Sequence, residues 1–248
     1  MKTLIAGNWK MNGDKAFAMN LAKDVAQSAE GLDLSAVELL LCPTFVHISS
    51  VAEVVMGTEI ALGAQDCSTD QKGAFTGDVA PNMLSDLGCS YVIVGHSERR
   101  MGHDETSALV FEKAESAYQA GLKPIICIGE TQAEKEAGQT KDVLAHQIKE
   151  SLPRNAFPRN TVIAYEPVWA IGSGKTPTVE EISDIHDFIQ QTVRETLALH
   201  TEMRILYGGS VKPENAKEIL ALTNVHGALI GGASLKAESF IGIAQQVE

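Results

Sequence analysis

Short apolar β-like runs alternate along this chain with longer segments in which charged and apolar positions recur at helical spacing. Eight such runs predict strands: Thr3–Asn8, Val37–Cys42, Ile60–Ala64, Tyr91–Val94, Pro124–Ile128, Val162–Tyr165, Arg204–Tyr207 and Ala228–Ile230. Each is followed by a loop and then a helix-like stretch, most clearly at Ser107–Gln119 and Glu180–Ala198. Eight β-then-α units in 248 residues predict an α/β fold of one closed parallel (β/α)8 barrel, a single domain over 1–248. The rival, an open doubly wound sheet, lacks support because no predicted strand leads into G-x-G-x-x-G.

The polar residues fall at the strand ends. Asn8 and Lys10 end the first strand, and Gln65 and Asp66 the third. His96 and Glu98 follow the fourth, Glu130 the fifth, Glu166 the sixth, Gly208-Gly209-Ser210 the seventh and Gly231-Gly232 the eighth. In a parallel barrel these ends open on one face, where active sites form. Asn8 and Lys10 are two apart and share one side of a strand. Lys10 can hold an anion, form a Schiff base, or simply snorkel at the surface. Its setting with Trp9 and Asn12 between Gly7 and Gly13 favours a working lysine.

His96 precedes Ser97, a candidate helix cap, so the imidazole is expected near the positive end of a helix, where the neutral form is favoured. A neutral ring can donate to a substrate oxygen. The alternative is a structural histidine beside a Glu98–Arg99 surface pair. Glu166 ends a buried-looking run and is followed by Pro167, an apolar span and the glycine-rich stretch from Gly172 to Thr176. That order suggests a base on a rigid strand end behind a mobile lid, whose closure removes water and raises the carboxylate's basicity. A rim salt bridge is the plainer reading of Glu166. Gly174-Lys175-Thr176 looks like the end of a P-loop, but Trp169 stands where that motif needs its first glycine.

The net charge of −12 argues against nucleic acid or an anionic membrane as partner, yet a cleft can still focus positive potential on a small anion. The turns at Gly172, Gly208-Gly209-Ser210 and Gly231-Gly232, in register after the last three strands, suit phosphate. Cys42, Cys67, Cys89 and Cys127 show no C-x-x-C spacing. With no secretory leader and no long apolar span in the sequence given, reduced thiols in the cytoplasm and no membrane span are expected. No H-E-x-x-H spacing occurs, Asp66 and Asp70 form no ligand cluster, and His186 and His200 are expected to be packed or solvated, so neither metal nor cofactor is expected.

Taken together, Gly7-Asn8-Trp9-Lys10-Met11-Asn12, Gly73-Ala74-Phe75-Thr76-Gly77, Gly95-His96-Ser97-Glu98-Arg99-Arg100, Cys127-Ile128-Gly129-Glu130-Thr131, the lid sequence, Tyr207-Gly208-Gly209-Ser210-Val211 and Gly231-Gly232-Ala233-Ser234-Leu235 make the chain resemble the triosephosphate isomerases over essentially its whole length. The resemblance implies a TIM barrel. It implies a cofactor-independent interconversion of dihydroxyacetone phosphate and glyceraldehyde 3-phosphate through an enediolate, in glycolysis and gluconeogenesis. Glu166 would move the proton, His96 would polarise the carbonyl, and Lys10, with Asn8 beside it, would hold the anion. Gly172, Ser210 and Gly232, near Gly231, would bind phosphate through backbone N–H groups. Ile171 and Leu229 would press on the base and exclude water. A homodimer is also implied, with the loop 65–78 carrying Thr76 toward the neighbour's Lys10.

Some positions depart from the family pattern. Asp66 and Asp78 stand where Asn and Glu are common, and Pro177, at the lid's far hinge, is expected to slow lid opening. Gln190 and His226 replace an ion pair, and they are expected to be neighbours joined by a neutral hydrogen bond, directly or through water. The rivals are a Schiff-base aldolase using Lys10 and a non-catalytic phosphosugar-binding protein; the intact set Asn8, Lys10, His96 and Glu166 weighs against the second.

Overall fold

The computed structural model describes residues 1–171 and 176–247. Its strands are β1 (Thr3–Asn8), β2 (Val37–Cys42), β3 (Ala61–Ala64), β4 (Tyr91–Val94), β5 (Lys123–Ile128), β6 (Val162–Tyr165), β7 (Arg204–Tyr207) and β8 (Gly227–Ile230). They form a closed all-parallel barrel in sequence order, with β1 completing the circle against β8 from Leu4↔Gly227 to Gly7↔Ile230. The helices are α1 (Lys15–Ala29), α2 (Ile48–Val55), α3 (Pro81–Asp86), α4 (Ser97–Gly102), α5 (Ser107–Gln119), α6 (Gln132–Glu136), α7 (Thr140–Ser151), α8 (Val179–Leu197), α9 (Pro213–Leu220) and α10 (Ala237–Ala244). The predicted strands are all present, with starts at β3, β5 and β8 moved by one residue; α5 matches its prediction, and α8 begins and ends one residue earlier than expected.

Side-chain alternation explains where the site lies. Along β1, Leu4 and Ala6 point into the barrel and Ile5 points out to the helices; along β6, Val162 and Ala164 point in and Ile163 out. Continuing the inward set one step reaches Asn8 at the end of β1 and Glu166 just past β6. The barrel interior below them is filled by Leu40, Cys42, Tyr91, Ile93, Ile125, Cys127, Leu206 and Leu229, so the polar residues sit on a packed floor. Glycine ends the inward rows of β5 and β7. A Cβ at Gly129 would lie 1.8 Å from the Glu166 carbonyl oxygen, and one at Gly208 would lie 2.9 Å from Glu166 Cγ. Those positions keep the space that Glu166 fills.

The start of α8 is fixed locally. Thr178 and Glu181 form a reciprocal cap, with Thr178 N–H donating to Glu181 at 2.8 Å and Glu181 N–H donating to Thr178 Oγ1 at 3.2 Å. Pro177 is buried directly before this cap.

Candidate active site

Glu166 is only 2 % exposed and faces three donors. Ser97 N–H donates to Oε2 at 2.9 Å, Ser97 Oγ to Oε1 at 3.3 Å, and His96 Nε2 lies 2.9 Å from Oε1. Burial alone would raise the Glu166 carboxyl. The attraction of His96, its hydrogen bond and the Ser97 N–H outweigh that and hold the group below the ordinary carboxylate range, so Glu166 rests ionised. The rise in basicity expected of a covered base is absent in this arrangement, because these donors stabilise the charged form.

The expectation that Ser97 caps α4 needs correction. The cap is His96 itself, whose Nδ1 accepts from Glu98 N–H at 3.2 Å, and Ser97 is the first helical residue. Gly95, at φ +67°, turns the chain so that the ring swings from strand into cleft. Burial disfavours the imidazolium, but the Glu166 and Glu98 carboxylates outweigh it and push the ring above the ordinary imidazole range. The bond at Nδ1 works against that push: its lone pair is engaged by a backbone N–H and cannot also hold a proton, so in this geometry the ring carries one proton, on Nε2, and donates it to Glu166. Ser97 was expected only as a cap; its two bonds to Glu166 are what the sequence reading missed.

Lys10 stands in the left-handed region at φ +52°, an unusual conformation for a residue with a Cβ and one that occurs at functional sites. Two contacts hold it there: its N–H donates to Asn8 Oδ1 at 3.0 Å, and its carbonyl accepts from Gln65 Nε2 at 2.9 Å. Its ammonium is ion-paired with Glu98. Glu98 therefore does not pair with Arg99. Arg99 instead binds Asp66 at 2.9 Å and Glu105 at 2.7 Å, and Lys113 joins the same two carboxylates at 2.7 and 2.5 Å. Asp66 thus faces an ion cluster under the loop 65–78, away from the cleft.

Asn8, Lys10, His96, Glu166, Ile171, Ser210, Leu229, Gly231 and Gly232 all line one cleft of about 540 Å³. Gly172 lies outside the described residues. The Lys10 side chain runs past Gly231, where a Cβ would meet Lys10 Cε at 3.1 Å. Lys212 and Lys236, exposed at the outer end of the cleft, were not expected, because nothing in their local pattern sets them apart from surface lysines. Ser234, fully buried, was also missed; its Oγ donates to Gly231 O at 2.7 Å and lies 3.4 Å from Asn8 O, tying the phosphate-side loop to the end of β1.

Gln190 and His226 do not form the expected direct bond. Gln190 spends its amide on Met203, accepting from its N–H at 3.0 Å and donating to its carbonyl at 3.1 Å, while His226 Nδ1 accepts from Ile205 N–H at 3.2 Å. Both secure the start of β7 rather than each other. His186 is packed at 0 % exposure between Tyr165 and Tyr207, with Nδ1 donating to Asn224 O at 2.9 Å. His200 is exposed. Among the described residues, no three His, Cys, Asp or Glu side chains converge as a metal site.

The fold and cleft define a (β/α)8-barrel enzyme that sets an ionised carboxylate beside a singly protonated histidine and an anion-binding rim. Residues 3–247 match the family model described as triosephosphate isomerase. A triosephosphate isomerase of Bradyrhizobium diazoefficiens is 51% identical, covering 99% of this chain and 97% of its own. That of Xanthobacter flavus is 47% identical over 99% of this chain and 98% of its own. The crystal structure of triosephosphate isomerase from Bartonella henselae superposes with a TM-score of 0.91 at 40% identity, covering 99% of each chain. The chain belongs to the triosephosphate isomerase family, and it is an isomerase.

Proposed function

We propose that this chain interconverts dihydroxyacetone phosphate and D-glyceraldehyde 3-phosphate, in glycolysis and gluconeogenesis, with Glu166 as base, His96 as electrophile and Lys10 as anion holder. Glu166 takes a proton from the carbon beside the carbonyl. His96 Nε2–H donates to the carbonyl oxygen as charge builds on it, and Glu166 returns its proton to the neighbouring carbon of the enediolate. Triosephosphate isomerases are themselves the standing example of a carboxylate base beside a neutral histidine. The observation that carries the reading is Glu166, ionised and 2.9 Å from His96 Nε2, in one cleft with Lys10 and the glycine loops.

Two resting contacts have to be exchanged. The Glu166 carboxylate leaves the Ser97 donors to reach carbon, and the Lys10 ammonium turns from Glu98 to the substrate. Asn8 steadies Lys10. The phosphate binds the N–H groups of Gly172, Ser210 and Gly232, near Gly231, and Ile171 and Leu229 keep water from the base.

The whole chain, 1–248, acts as one domain in this reading, since the barrel closes between β1 and β8. A homodimer through the loop 65–78 is supported by large apolar residues exposed on the first three loops of this face: Met11 at 94 %, Val46 at 82 % and Phe75 at 47 %. Thr76, exposed beside Phe75, would then reach the neighbour's Lys10 region. The cytoplasm suits four free, buried cysteines, and no helix among the described residues is long and apolar enough to cross a membrane.

The test is a coupled assay from glyceraldehyde 3-phosphate, run on wild type and Glu166→Asp. Turnover that collapses in the variant supports the reading; a folded wild type that binds a phosphate analogue without turnover overturns it. The Schiff-base alternative predicts borohydride trapping at Lys10. An ion-paired ammonium is no nucleophile, and no adduct is expected.

A further inference from the structure

We propose that Arg100 is a positioning residue for the Glu166–His96 pair, fixing the loop that holds both groups and placing a positive charge behind the carboxylate; this rests on Glu166 being the base. Arg100 folds back from α4 and ties four elements together. Its Nε donates to Gly95 O at 2.9 Å and its Nη1 to Ser107 Oγ at 3.1 Å. Its Nη2 donates to Cys127 O at 3.0 Å and to Ser151 Oγ at 3.2 Å. Gly95 is the residue before His96, and Cys127 is the inward residue of β5 beneath the site. The guanidinium therefore clamps the ends of β4 and β5 to the start of α5 and the end of α7. Ser97, which gives Glu166 two of its three bonds, lies on the clamped loop.

Every acceptor in that list is neutral. The guanidinium is partly buried and forms no ion pair among the described residues. A charge in that position is costly unless a counter-charge lies within its field. Arg100 and Glu166 line the same small cavity of about 110 Å³, together with Ser97, Cys127 and Gly129. The other charged groups on this side are committed elsewhere or face outward. Glu105 gives one oxygen to Arg99 and Lys113 and acts on Arg100 more weakly than Glu166 does, and Glu134 caps α6 through Thr131. Asp142 and His146 line the outer surface groove beside Arg100. On the cleft side, Glu166 meets His96 and the charge of Lys10, whose ammonium is taken by Glu98. Glu166 is thus the stronger of the two carboxylates whose charge reaches Arg100, ahead of Glu105. When Glu166 swings away from Ser97 to reach substrate it loses short bonds, while a charge acting across the cavity persists.

The experiment separates charge from anchoring. Arg100→Met removes both, and Arg100→Lys keeps the charge but cannot reproduce the four-way planar fork. Because a phosphate monoester itself titrates near about pH 6, the readout is carboxyl-labelled glutamate NMR, with the Glu166 signal assigned by its loss in Glu166→Gln. Arg100→Met is expected to raise the Glu166 titration by roughly 1 pH unit and to lower kcat by about tenfold or more. Arg100→Lys is expected to leave the titration close to wild type while lowering kcat.

A folded Arg100→Met with Glu166 titrating as in wild type overturns the charge role, and an unchanged kcat in Arg100→Lys overturns the anchoring role. Should Arg100→Met not fold, Arg100→Lys decides the charge role as well, since a Glu166 titration raised as far with the charge retained would overturn it. Ser107→Ala with Ser151→Ala, which loosens the clamp and keeps the charge, is expected to lower kcat without moving the titration. Wild type without isomerase activity would instead defeat the function proposed above, a distinct result.

Discussion

Glu166 and Glu130 follow neighbouring strands and are almost equally inaccessible, at 2 % and 1 % exposure, yet their protons behave in opposite ways. Burial pushes both carboxyls up. At Glu166 the His96 ring and the Ser97 N–H reverse that and hold the group low. Glu130 has Trp169 Nε1 at 2.8 Å and Tyr165 OH at 3.2 Å, and its Oε2 has no partner; burial wins and the group is raised. Inaccessibility sets a similar cost at both places, and the donors decide the charge state. A base that takes a proton from carbon has to be ionised beforehand, and only the Glu166 setting provides that.

The sharpest break of this contrast is chemical. Glu166→Gln is expected to lower kcat by about 10³-fold or more, measured in the coupled assay, whereas Glu130→Gln should stay within about tenfold of wild type on the same scale. Equal losses would show that the two carboxylates share the proton work. The two should also part in stability against pH. Glu166, lowered in the fold, adds stability above its unfolded value that is lost as pH falls through its folded value. Glu130, raised in the fold, adds stability at low pH that is lost as pH rises through its folded value. Chemical denaturation across pH should therefore flatten on the acid side for the first variant and on the neutral side for the second.

A third buried group extends the comparison. His186, pushed down to about 4 by burial, stays neutral in the fold while the unfolded chain takes up a proton below about pH 6.5. Stability should fall between about pH 6.5 and 4, by about 3 kcal/mol in all, and level off below. His186→Asn, able to keep the bond to Asn224, should remove most of that slope in urea titrations; an unchanged slope would assign it to other groups. Smaller still, Gln190→Ala should cost about 1–3 kcal/mol by stranding the Met203 backbone groups, with kcat unaffected. A His226→Ala variant that cost nothing further once Gln190 was gone would restore coupling between the two, which the separate bonds to Met203 and Ile205 do not support.

The sequence by itself determined the strands, their order and the face that works. Alternation within Thr3–Asn8 and Val162–Tyr165 is a local property, and it carries Asn8 and Glu166 inward as soon as a barrel closes. The glycine turns at 208–209 and 231–232 were legible for the same reason, since a missing side chain has a meaning that needs no neighbour.

Partner choice was not legible. Glu98 could have met Arg99 beside it and instead reaches Lys10; Arg99 crosses to Asp66 and Glu105; Ser97 turns from expected cap to donor for Glu166. Gln190 and His226 turn to separate backbone groups of one strand. Long polar side chains select among partners by distance and direction, and residues far apart along the chain acquire a distance only when the strand ends are gathered on one rim. The charge state of each buried carboxylate followed from that selection, so the chemistry of Glu166 was decided by the tertiary structure, while its position was already written in the periodicity of β6.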